Sequence, residues 1–160
     1  MVHRLLQPRP RLIIPCLLAA VLALQASAQK PAASEDDSDV RPPVTKADIT
    51  IVVRARAILD SPAKWNRADN RKCPANATTF SIYCALEKAT AEVTGDFKHR
   101  GAVMQEARFV IEDMAPHRNY EHRLMNYNND SRTTFADVQR LFDLLQADIA
   151  KRLAESAPPK

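Results

Sequence analysis

Apolar residues return every third or fourth position through residues 134–153: Phe135, Val138, Leu141, Phe142, Leu145, Ile149 and Leu153. That spacing places them on one side of an α-helix and leaves the other side polar. Thr134 stands where an N-cap is needed, and Asp137 follows three residues later as the second half of a capping box. The same grammar recurs upstream. Ile82, Ala85, Leu86, Ala89 and Val93 form one stripe, and Val103, Met104, Ala107, Val110, Ile111 and Met114 form another. Thr45 and Asp48 open a further helix carrying Ile49, Val52, Val53, Ile58 and Leu59. No convincing two-residue alternation runs anywhere in the chain. The pattern predicts an all-α fold, a small bundle of about four to five helices.

Punctuation between the stripes sets the expected boundaries. The first helix should end near Asp60, and Ser61-Pro62 should start a short turn of helix leading to Trp65. Residues 67–77 form a polar loop. Thr78 or Thr79 is the expected cap of the second helix, and Gly95 its stop, since glycine accepts the left-handed conformation that ends helices. Asp96 is the expected cap of the third helix, which Pro116 terminates. A short helix is expected around residues 120–125. With only 2 glycines in 160 residues, glycine-rich phosphate cradles and dinucleotide-binding turns are excluded. No cofactor motif is present.

The N-terminus reads as an address. Arg4, Arg9 and Arg11 precede an apolar run from residue 12 to 24, and Ala26-Ser27-Ala28 follows. This order of charge, apolar run and small residues marks a secretory signal peptide over residues 1–28. The run is shorter than the ~20 apolar residues of a membrane-spanning helix. Pro15 before Cys16 disfavours a lipid anchor. No second long apolar stretch follows, so no membrane span is expected after signal removal. Removal takes three of the 23 Lys and Arg and none of the 19 Asp and Glu, which lowers the formal charge from +4 to +1. A near-neutral chain with interspersed charges lacks the electrostatic footprint of a nucleic-acid binder. Residues 29–44 are small, acidic and proline-bearing and are expected to be a disordered linker. The helical domain is expected over residues 45–155 and a disordered tail over residues 156–160.

Export bears on the cysteines. Without the leader only Cys73 and Cys84 remain, 11 positions apart. Zinc sites need four nitrogen or sulfur ligands in close pairs, and His99, His117 and His122 show no pairing with these cysteines. Redox-active pairs sit two residues apart. A structural disulfide between Cys73 and Cys84 is the remaining reading, suited to an oxidising compartment.

The densest cluster of donors and acceptors is Asn126, Asn128, Asn129, Asp130, Arg132, Thr133 and Thr134, running into a helix N-terminus. Free N–H groups there favour an anion, and Arg132 could clamp a carboxylate or phosphate. The same residue types also build turns and caps. Both readings, a ligand-binding site and a structural loop, stay open at this level. His117 and His122 lie five apart, outside the four-residue spacing of a metal-binding helix, and no metal site is expected. Trp65 and Tyr83 are expected in the core beside the disulfide.

Three stretches carry a likeness: ARAILDSPAKW (55–65), YCAL (83–86) and NNDSRTTFADVQRLFD (128–143). Through them the chain resembles an uncharacterised bacterial and phage family of small helical domains, over roughly residues 50–153. Tyr83 stands where that family has tryptophan, Glu87-Lys88 where it has Gly-Ala, and Phe135 where it commonly has histidine. The resemblance implies a fold and not an activity. It also suggests a bacterial context, in which the glycosylation-like sequons at Asn76 and Asn129 have no role. The expected protein is therefore exported, periplasmic or secreted, and a non-enzymatic binding module of the cell envelope. Its partner is an envelope protein or a small anionic ligand. The alternative is a ligand-binding protein or hydrolase that uses residues 126–134.

Overall fold

Thr134 opens the longest helix as its sequence demands. Its side chain accepts from the Asp137 amide at 3.2 Å, while the Asp137 carboxylate accepts from the Thr134 amide at 2.8 Å. The computed structural model describes residues 40–157, so the expected signal peptide and positions 158–160 of the expected tail lie outside the described residues. Five α-helices follow in order: α1 (Lys46–Ile58), α2 (Ile82–Thr94), α3 (Ala102–Met114), α4 (Arg123–Asn129) and α5 (Phe135–Glu155), with a 3₁₀ turn at Pro62–Lys64. Among the described residues there is no strand, only an isolated bridge between Trp65 and Phe80. The all-α bundle with one disulfide is therefore the observed architecture.

Helix α1 packs on α2 and α5, α3 packs on α5, and α4 closes against α2 and α3. Val52, Ala55, Leu86, Ala89, Met104, Ala107, Ile111, Leu141, Phe142, Leu145 and Ile149 are fully buried between them. Alanines at the crossings let the backbones approach, and the larger side chains fill the remaining space. On α1 the buried face includes Ile51, while Val53 is 50% exposed. The expected stripe was rotated there, because a run of β-branched residues offers more than one apolar face.

Two helix starts differ from the expected ones. Helix α2 is capped by Ser81, whose hydroxyl accepts from the Cys84 amide at 3.1 Å, rather than by Thr78 or Thr79. Residues 78–80 are needed elsewhere. The Phe80 amide donates to the Lys64 carbonyl at 2.8 Å and its carbonyl accepts from the Asn66 amide at 2.9 Å. Helix α3 starts after Gly101, not at Asp96. The intervening residues fold back so that His99 reaches Tyr83 and Arg108. Gly95 does end α2, with φ +77°.

Cys73 and Cys84 are bonded, with S–S 2.02 Å and Cα atoms 5.3 Å apart. The bond staples the loop of residues 66–81 to the first turn of α2. Tyr83 is buried beside it. Trp65 lies instead near Phe135, ring centroids 6.2 Å apart. The described end of the expected linker, residues 40–44, is docked on the bundle by hydrogen bonds from Gln105 and Arg152.

Candidate functional site

Helix α4 contains residues 126–129 of the candidate segment 126–134. Asparagine favours turns because its side chain competes for backbone groups, yet Asn126, Asn128 and Asn129 are helical here. Each asparagine has a partner. The Asn126 side-chain carbonyl accepts from the His122 amide at 2.7 Å and steadies the helix start. Asn128 is fully buried. Its side-chain carbonyl accepts from the Trp65 indole N–H at 2.8 Å and from the Ile82 amide at 3.0 Å. Its NH₂ group donates to the Asn66 carbonyl and to the Asn129 side-chain carbonyl, both at 3.0 Å. Asn129 in turn accepts from the Asp69 amide at 2.7 Å and donates to the Asp69 carbonyl at 2.9 Å. Two adjacent asparagines thus clasp the disulfide-bearing loop and the start of α2.

Arg132, expected as an anion clamp, has a carboxylate of its own. It grips Asp130 through Nε at 3.0 Å and Nη2 at 2.7 Å. Arg132 and the Tyr120 hydroxyl, which donates to Asp130 at 2.7 Å, hold the Asp130 carboxyl well below the usual carboxylate range. Burial, followed by the hydrogen bond to Asp130, pushes the Tyr120 phenol up. Arg118 donates to the Tyr120 hydroxyl at 3.1 Å and to the buried Thr133 hydroxyl at 3.5 Å. Arg67 reaches across to the carbonyls of Asp130 and Ser131 at 3.0 and 3.2 Å. Thr134 is occupied as the α5 cap. The structure therefore joins Asn128 to Asn129 and Asp130 to Arg132, while Asn126 and Thr134 serve their own helices.

A cleft adjoins this network. It has a volume of about 440 Å³ and is lined by Glu112, Arg118, Asn119, Tyr120, Glu121 and Arg123, with Ile111 and Ala115 among its apolar residues. None of residues 126–134 lines it. The Arg123 guanidinium faces Glu112 at 3.6 Å through Nη2 and packs 5.5 Å from the centre of the Phe109 ring. Its Nη1 is buried without a hydrogen-bond partner. Among the described residues, no group of three or more His, Cys, Asp or Glu is placed to hold a metal ion.

Two further polar groups lie inside the bundle. Arg108 is buried and contacts His99 Nε2 at 3.0 Å, while His99 Nδ1 meets the Tyr83 hydroxyl at 3.1 Å. Arginine only donates, so Nε2 accepts and the His99 proton resides on Nδ1. Burial pushes the Tyr83 phenol up to about 12. Glu106 is fully buried between α3 and α5 and pairs with Arg152. Sequence reasoning passed over Glu106, although the signal was present. It lies three residues after Val103 and four before Val110, a core position filled by a charge.

These features define a class, a disulfide-stapled all-helical domain whose Asn–Asp segment clasps an irregular loop. The chain belongs to the family of unknown function DUF6197, which matches residues 41–147. No curated protein and no solved structure matches the chain.

Proposed function

We propose that this domain is a non-enzymatic binding module that acts outside the cytoplasm, periplasmic or secreted, and that it engages an envelope protein through the cleft beside α3 and α4. The observation that carries this reading is Arg123. The Arg123 side chain lines an open cleft and keeps one guanidinium nitrogen, Nη1, covered and without an acceptor, which costs about 1–3 kcal/mol or more relative to a satisfied one. A small turn of this side chain on binding would bring that nitrogen to a carboxylate on a partner side chain or C-terminus. Asn119 and Tyr120 line the same cleft with further polar groups. The disulfide suits an oxidising compartment, where such bonds persist.

The alternative reading places a ligand or a hydrolytic site on residues 126–134, with exposed Arg132 as its contact. Affinity capture from envelope extract separates the two. The binding-module reading expects one partner to be retained by the wild type and by Arg132→Ala and lost by Arg123→Ala. Loss with Arg132→Ala and retention with Arg123→Ala would overturn it in favour of the loop. N-terminal sequencing of protein from the periplasmic fraction tests export, with a start at Gln29 as the expected result and an intact N-terminus as the contrary one.

A further inference from the structure

Residues 70–79 span two anchors that do not depend on the disulfide. At one end Asn129 holds the backbone of Asp69, accepting from its amide at 2.7 Å and donating to its carbonyl at 2.9 Å. At the other end the Phe80 amide donates to the Lys64 carbonyl at 2.8 Å, and the Phe80 carbonyl accepts from the Asn66 amide at 2.9 Å. Between these anchors, residues 73–79 make one hydrogen bond among the described residues, from the Ala77 amide to the Pro74 carbonyl at 3.0 Å, and it is internal. Asn76, Thr78 and Thr79 are exposed. Arg71 adopts a left-handed conformation with φ +58°, which residues bearing a Cβ disfavour. The Cys73–Cys84 bond is therefore what ties this segment to α2. The bond borders a cleft of about 240 Å³, with Cys73, Pro74 and Ala75 contributed by the loop and Cys84, Lys88 and Ala91 by α2. Cys73 is partly exposed, whereas Cys84 is buried.

We propose that the Cys73–Cys84 bond is a redox-operated catch on residues 70–79, closed when oxidised and opened by a dithiol reductant while the helical bundle stays folded. The incoming thiolate attacks Cys73 Sγ, on the more accessible cysteine of the pair. A new S–S bond forms to that sulfur as the Cys73–Cys84 bond breaks, and the electron pair leaves on Cys84 Sγ, which takes a proton from water. Cys84 is the third residue of α2, where the positive end of the helix favours a thiolate and so a faster-leaving sulfur. The reductant's second thiolate then attacks its own first sulfur and expels Cys73, which is protonated in turn. Both cysteines end as thiols and the reductant ends as a disulfide. Asp69 and Phe80 stay anchored, because neither Asn129 nor the Lys64–Asn66 backbone takes part in the exchange. The freed segment takes Pro74 and Ala75, one wall of the cleft, away from α2. In an oxidising compartment the catch rests closed, so its opening signals an encounter with a thiol reductant.

NMR of the isotopically labelled protein, as isolated, with and without dithiothreitol tests the catch. Reduction should lower the heteronuclear NOE of the backbone amides in residues 70–79 and leave the amide shifts of α1, α3 and α5 in place. Cys73→Ser should show the same mobile segment with no reductant added. Brief exposure to glutathione, followed by alkylation and peptide mapping, should find glutathione on Cys73 and the alkyl group on Cys84. A segment that stays as ordered after reduction as before it would overturn the proposal. So would loss of the helical shifts on reduction, a bond that reacts only after denaturant is added, or glutathione found on Cys84 instead.

Discussion

Asn128→Ala removes the centre of the clasp. The side chain has no exposure and makes four hydrogen bonds, to Trp65, Ile82, Asn66 and Asn129. Truncation leaves the Ile82 amide without an acceptor at a fully buried position. An orphaned buried donor costs about 1–3 kcal/mol. The Trp65 indole is only partly buried, so water recovers much of its bond, and about 1 kcal/mol is a fair charge for it. The Asn66 carbonyl belongs to an exposed residue and is rehydrated at little cost. The expected loss is about 3 kcal/mol, a large share of the ~5–15 kcal/mol that stabilises a typical domain. For a domain of this size that corresponds to a fall in Tm of roughly 10–15 °C. Thermal unfolding measures the loss, and Trp65, the sole tryptophan, reports the local change through its emission. Arg132→Ala is the control, since that side chain is 65% exposed and pairs with its neighbour Asp130, and a solvent-exposed ion pair is worth little; its Tm should move far less. A fall of less than about 3 °C in Asn128→Ala, with tryptophan emission unchanged, would refute the view that this asparagine clamps the loop.

Reduction of the Cys73–Cys84 bond should cost about 2–3 kcal/mol, as expected for a closed loop of this length, and neither cysteine should be alkylated before reductant is added; labelling without reductant contradicts the staple. Asp130 should titrate well below the ordinary aspartate value of about 3.9, because Arg132 and then Tyr120 favour its ionised form. Its stabilising contribution is present above the unfolded value and is lost as pH falls through the folded one. A carboxyl-detected NMR titration checks this, and Arg132→Ala should return the group toward the ordinary range.

Much of the scaffold could be read directly from residue spacing. Helix α5, its Thr134–Asp137 box, the Thr45–Asp48 start of α1 and the Gly95 stop all depend on neighbours within one or two turns, so local pattern suffices. The expected sites were less legible. Asn126, Asn128 and Asn129 look like turn formers, and it takes Asp69, Trp65 and Ile82, some 46 to 63 positions away, to make Asn128 and Asn129 satisfied members of a helix. Arg132 looked available for an anion because its partner Asp130 is also a good loop residue.

What the amino-acid order determined alone was the all-helical class, the paired cysteines and most of the helical faces, because helix periodicity and capping are short-range effects. Which polar groups would be buried was decided only by the tertiary structure. Ser81 became the α2 cap because Phe80 was drawn into a bridge with the Trp65 region. Glu106 became a buried acid because Arg41, Arg152 and Asp148 converge on it from opposite ends of the domain. Burying a charge is tolerable only when such partners arrive together, and their arrival is a property of packing that no local stretch of sequence contains.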